Sequence, residues 1–223
     1  MRVRTAYVAQ LQQLHDEIND MAGQVTEAYE HACKAATTGD VPASWPLESD
    51  ASDISAKERE IETMALRLLL LQQPTAKDLR TVSGALKMVT DLKRIGELSI
   101  DVCRLVVDMQ GACFEIQGAE LADMTEHAGA MVTMSIEAYM TEDMERASKI
   151  ASMDDTVDDD LDAIRDQLAQ CVTDDEMDPA DEADLLMIAK NFERIADHAE
   201  HISVWTEYVV LGTCNGEPMT LER

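Results

Sequence analysis

The sequence predicts an all-α protein: two tandem antiparallel three-helix bundles related by internal pseudo-symmetry. Three observations carry this. Apolar residues recur at spacings of three and four along most of the chain. The 223 residues include nine Gly and five Pro, too few for a fold rich in turns. And one stretch returns. Leu92-Lys-Arg-Ile-Gly-Glu-Leu-Ser-Ile-Asp-Val102 aligns without a gap with Phe192-Glu-Arg-Ile-Ala-Asp-His-Ala-Glu-His-Ile202. Arg94 matches Arg194, Ile95 matches Ile195, Glu97 matches Asp197 and Asp101 matches His201. A long-period repeat marks two copies of one structural unit, here 1–112 and 113–223.

Taken in order, the first helix covers about 3–37, with Leu11, Leu14, Ile18, Met21, Val25 and Ala32 on its apolar side. Gly39 ends it. Pro42 and Pro46 mark a break or a kinked helical entry, and the segment from Ala43 to Asp53 has the weakest signal. A second helix covers about 53–72 and stops at Gln73-Pro74, because the residue before proline is pushed out of helical geometry. Thr75 is placed to cap a third helix, with Asp78 completing a weak capping box, and that helix runs to about Asp108. So short a turn makes the second and third helices antiparallel neighbours. The pattern loosens between Gly111 and Gly118, the join between halves. Three more helices follow, at about 119–140, 143–171 (with a possible kink near Ser152) and 180–211. Each half carries its copy of the repeat on its last helix.

Composition limits the function. The formal charge is −27, with 45 acidic against 18 basic residues. That excludes nucleic-acid binding through phosphates, which needs a basic surface, and disfavours anionic lipid. Regular apolar periodicity contradicts disorder. Adaptation to high salt, where screening removes self-repulsion, and cation binding both remain. The five Cys are scattered, with no CxxC spacing, and read as reduced thiols of a cytoplasmic protein. No apolar run is long enough for a signal peptide or a membrane span.

On a helical wheel, Met88, Leu92, Ile95, Ser99, Val102 and Val106 form one stripe, and Arg94, Glu97 and Asp101 lie opposite it. The second copy repeats this, with Arg194, Asp197 and His201 opposite Ile188, Phe192, Ile195, Ala199 and Ile202. Glu97 with Asp101, and Asp197 with His201, are one turn apart and can converge on one ligand. Glu58 and Glu62 add a carboxylate pair on the second helix, and Asp154, Asp158, Asp162 and Asp166 form a ladder on the fifth. Like charges at that spacing repel unless a cation lies between them. Oxygen ligands suit magnesium, calcium or manganese, and His201 admits iron or zinc. His198 and His201 could also share a metal. A solvated charged face, with Arg94 held by Glu97 in an intrahelical salt bridge, is the competing account of the same residues.

Three motifs, Gln73-Pro74-Thr-Ala-Lys-Asp78-Leu79-Arg80, Arg94-Ile95-Gly96-Glu97 and Glu193-Arg194-Ile195-Ala196-Asp197, give the chain a family likeness. It resembles the PhoU family of phosphate-uptake regulators over nearly its whole length. The resemblance implies two three-helix bundles, a regulator and not an enzyme, and multinuclear metal clusters held by the acidic motifs in some members. It implies action on the phosphate-specific ABC importer through its ATPase subunit, signalling to a membrane sensor kinase in many bacteria, and a homodimer. Carried over by motif, Glu97, Asp101 and Asp197 are metal ligands, with His201, Glu58, Glu62, Asp154, Asp158 and Asp162 added from the spacing above. Arg94, Arg194 and Arg80 are candidate partner contacts. Four positions depart from the family pattern. Lys93 replaces a Glu, Ala51 and Ser55 replace acids on the second helix, and His201 replaces Asp or Asn. The second-half site is therefore the better furnished of the two, and the pattern does not supply a full cluster in the first half. The acidity is outside the family pattern and fits a source adapted to high salt, such as a salt-loving archaeon.

Two other functions are open to such a bundle. A ferritin-like di-metal protein needs Glu-x-x-His pairs facing inward, and no His here has Glu three positions before it. A metal-free helical scaffold would use its acid for solubility alone. No nucleophile constellation and no Gly-rich phosphate loop is present.

Overall fold

The computed structural model describes residues 2–42, 44–72, 74–109, 114–173 and 178–218, the side chains of 2–5, 114–119 and 173 excepted. Six helices occupy it: α1 (Arg2–Thr38), α2 (Leu47–Gln72), α3 (Ala76–Asp108), α4 (Phe114–Thr141), α5 (Met144–Thr173) and α6 (Pro179–Leu211). α1, α2 and α3 pack on one another, as do α4, α5 and α6. The two bundles meet where α3 lies along α6 and α1 along α4. Their apolar sides merge into one core, running from Leu14 and Ile18 through Leu92 and Ile95 to Ile195 and Ile202. The 112/113 boundary and Gln73 of the turn motif fall outside the described residues.

The helix ends follow local chemistry. Gly39, with φ 68°, closes α1 in the left-handed region that glycine enters freely. Asp143 Oδ1 accepts from the amides of Glu145 and Arg146 at 2.9 and 3.2 Å, capping α5. Asp178 caps α6 by accepting from Ala180 at 2.8 Å, with Pro179 at the first helical position.

Two expectations need correction, and one element is additional. α2 begins at Leu47, six residues before the expected Asp53. Pro46 is compatible with a helix start, since the amide it lacks would be unpaired there anyway, and its carbonyl accepts from the Asp50 amide at 3.0 Å. Thr75 stands at the N-cap of α3 with extended backbone, but its side chain makes no capping bond. α5 is helical from Met144 to Thr173, Ser152 included. A short antiparallel hairpin, β1 (Thr213–Cys214) and β2 (Glu217–Pro218), follows α6. Its turn residues Asn215 and Gly216 have φ of 53° and 77°, the Asn-Gly turn that suits a two-residue hairpin. Glu207 holds it to α6 by accepting from the Thr213 hydroxyl and the Gly216 amide, and these bonds lower its pKa.

The seam between α3 and α6 is tight. A β-carbon on Gly84 would lie 2.5 Å from Val209 Cγ2 and 3.4 Å from the Tyr139 hydroxyl. Tyr29 of α1 bridges the halves in a second place, donating to the Thr125 carbonyl at 2.6 Å and meeting Phe192 edge to face at 5.9 Å. Gly84→Leu should therefore force the seam apart and cost about 1–3 kcal/mol, read as a lower urea midpoint with an unchanged slope.

Candidate metal centre on the second bundle

The buried positions of the two halves can be superposed. On α3 and α6, Met88, Leu92, Ile95 and Val102 correspond to Ile188, Phe192, Ile195 and Ile202. On α2 and α5, Ile54, Ile61, Ala65 and Leu68 correspond to Val157, Ile164, Leu168 and Cys171. This register places Lys93 opposite Glu193 in the other copy, Ala51 opposite Asp154 and Ser55 opposite Asp158.

In the first half a lysine supplies the positive charge. Glu58 of α2 is buried, 7% exposed. Its carboxylate lies 2.8 Å from Lys93 Nζ, and Glu97 lies 3.8 Å from the same ammonium. The salt bridge to Glu58 raises the Lys93 pKa, so the ammonium stays charged. The outer charges are also paired. Arg94 meets Glu97 at 2.8 Å, and Arg104 meets Asp101 and Glu48, both at 2.7 Å. Glu62 is half-buried, and no ion pair reaches it among the described residues. Carboxylates already matched by Lys93 and Arg104 do not fit a metal cluster.

In the second half Glu193 stands in the place of Lys93. Asp154 and Asp158 of α5 and Glu193, Asp197 and Glu200 of α6 share one electrostatic neighbourhood. Lys190 pairs with Glu193 from one side. The other carboxylate oxygen of Glu193 is buried and finds no hydrogen-bond partner. Burial and the four neighbouring carboxylates push the Asp154 pKa up to about 6. A buried unpaired oxygen among like charges is costly, and it fits a bound cation. These carboxylates offer oxygen, the donor of magnesium, calcium, manganese or ferric ions, although among the described residues the ligand atoms that already lie within 4.8 Å of one another belong to Asp91, His198 and His201.

The remaining expected residues lie elsewhere. Asp162 is exposed and pairs with Arg165 at 3.0 Å. His201 turns its Nδ1 toward Asp91 of α3, 3.6 Å away. Arg80 donates from Nε to the Val209 carbonyl at 3.3 Å and packs beside Gly212, so it joins α3 to the end of α6. Arg194 is exposed, with no ion pair among the described residues. The wheel missed Glu193 and Glu200 as members of the cluster, although Glu193 is the residue that Lys93 replaces in the first copy.

The PhoU domain model matches twice, at residues 18–106 and 121–206. The chain belongs to the PhoU family. PhoU proteins are regulatory accessory proteins, not enzymes. The chain is 30% identical over 205 residues to the phosphate-specific transport system accessory protein PhoU homolog 2 of Mycobacterium tuberculosis, covering 90% of this chain and 94% of that one. It is 25% identical over 210 residues to the PhoU homolog of Clostridium acetobutylicum, covering 94% and 96%. The crystal structure of PhoU from Pseudomonas aeruginosa superposes with a TM-score of 0.88 at 25% identity, over 93% of this chain and 100% of that one. The fold is therefore that of PhoU.

Two outcomes follow. Lys93→Met leaves Glu58 buried without its partner and should cost about 1–3 kcal/mol, measured by chemical unfolding. For Asp154, the folded pKa near 6 lies above the ordinary 3.8. Between these values the folded chain holds a proton that the unfolded chain has released, so metal-free stability falls as pH rises through this window. Asp154→Asn should flatten that dependence and raise stability at neutral pH in thermal melts with chelator.

Proposed function

We propose that this chain is a negative regulator of phosphate uptake that acts in the cytoplasm on the phosphate-specific ABC importer through its ATPase subunit. We also propose that it binds a hard cation between α5 and α6. The observation that carries the regulatory reading is the doubled PhoU domain together with relatives named as accessory proteins of the phosphate-specific transport system. The observation that carries the cation reading is the buried unpartnered oxygen of Glu193 among Asp154, Asp158, Asp197 and Glu200. No helix among the described residues is long and apolar enough to cross a membrane.

In this reading the chain performs no reaction. The cation holds α5 against α6 and sets the charge of the outer face of the second bundle. The first bundle keeps a fixed charge pattern, because Lys93 cannot be exchanged. A homodimer and a sensor kinase partner belong to the same reading.

The test is phosphate uptake in high phosphate, in a strain lacking the gene and complemented with variants. Loss of the gene should derepress uptake, the wild-type chain should restore repression, and the Asp154→Asn, Asp197→Asn double variant should not. Uptake unchanged by the deletion overturns the regulatory reading. Calorimetric titration with Ca²⁺, which takes oxygen ligands and not imidazole, decides the cation separately: heat of binding in the wild type and none in the double variant is the expected result, and no binding by either chain favours a metal-free scaffold.

A further inference from the structure

A different cluster lies on the seam between the bundles, and none of its members belongs to the oxygen cluster above. Asp91 of α3 is 8% exposed. One of its carboxylate oxygens lies 2.9 Å from His198 Nδ1 and 3.6 Å from His201 Nδ1. The other accepts from Trp205 Nε1 at 2.8 Å. The three prospective ligand atoms all lie within 4.8 Å of one another. His198 and His201 are one turn apart on α6, with ring centroids 5.7 Å apart.

We propose that Asp91, His198 and His201 form a second metal site, a two-histidine, one-carboxylate set for zinc or another borderline divalent transition ion that joins the two bundles. The donor chemistry selects this class. Imidazole nitrogen favours zinc, iron(II) or cobalt(II) over magnesium or calcium, and three protein ligands leave a position open to water or a partner's group. Trp205 fixes the carboxylate by its second oxygen, as outer hydrogen bonds orient metal ligands generally. His201, 57% exposed, gives the ion a route in from solvent. Binding requires each neutral imidazole to carry its proton on Nε2, freeing Nδ1 for the metal; no group changes oxidation state.

The set has no twin in the pseudo-symmetric arrangement. The counterparts of Asp91, His198 and His201 are Asn191, Leu98 and Asp101. His201 alone stands at one of the charged positions of the duplicated motif; Asp91 and His198 lie outside them. The site also has a different mechanical effect. The oxygen cluster lies within one bundle, whereas Asp91 comes from the first repeat and both histidines from the second. An ion here clamps α3 to α6.

The test uses the full chain carrying Asp154→Asn and Asp197→Asn, so that the oxygen cluster contributes nothing and the two sites can fail independently. Cobalt(II) titration should give visible d–d absorption saturating at one ion per chain, displaced by zinc. Zinc should raise the melting temperature. In the same background His201→Ala, a change at an exposed position that leaves the core intact, should abolish the absorption and the thermal shift. Trp205→Phe removes no ligand and should weaken zinc binding by about 10–100-fold. No cobalt absorption in the parent, or absorption that survives His201→Ala, overturns the proposal and leaves Asp91 as a hydrogen-bond acceptor only.

Discussion

The packing of α3 against α6 is the constraint from which the rest of the structure follows. Each of these helices buries its stripe in the common core, Leu92 and Ile95 on one, Phe192 and Ile195 on the other. With that side committed, the flanking polar positions are distributed by helix geometry alone. Glu97 turns toward the ion pair that Lys93 of its own helix makes with Glu58 of α2, and Asp197 toward α5, where Asp154 and Asp158 lie. Positions rotated the other way, Asp91 and His198, meet across the seam. Seam and outer surfaces therefore carry separate chemistries set by one packing arrangement.

Duplication gave two equivalent surfaces, and two kinds of substitution have made them unequal. In the first half a buried carboxylate is matched by a covalently attached ammonium, so its charge balance is permanent. In the second, Glu193 occupies the position of Lys93, and the α5 acids remain. Removing solvent from one carboxylate beside four others leaves protonation or a mobile cation as the ways to lower the energy. The raised pKa of Asp154 is the first of these, and a bound cation would be the second. A protein with 18 basic residues and 45 acidic ones has few ammonium groups to place. Where it places one against a buried acid, exchange with solution ions ends.

Much of this arrangement was legible in the residues themselves. The repeat at Leu92 and Phe192 gave the two bundles, and glycine and proline gave the ends of α1 and α2, because both signals are local or periodic. The inequality of the halves was legible too, in Lys93, Ala51 and Ser55. The start of α2 was not, since proline both breaks helices and begins them. The hairpin at Asn215-Gly216 carried a readable turn signal, but without the alternating apolar residues that mark a strand. Asp91 was harder still. It lies one residue before Leu92 and resembles any helical surface acid in this chain. Its partners His198 and Trp205 are more than a hundred positions away, and only the closeness of α3 and α6 joins them.

That closeness bears on how such a protein can change state. Gly84 has a side chain of the opposite helix where its β-carbon would be, and Tyr29 crosses from α1 to α4 and α6. A seam packed this tightly cannot slide without unpacking core residues, so the bundles are poor candidates for rotation against each other. The outer helices are less constrained. α2 and α5 each contact the rest of the chain along one side, and α5 does so across a line of mutually repelling carboxylates. Neutralising those carboxylates removes a force that pushes α5 from α6, while α2 is held by the bond from Lys93 to Glu58 whatever the ionic conditions. A response to cations is therefore expected in the second bundle, at α5, with the first bundle and the seam serving as the fixed frame.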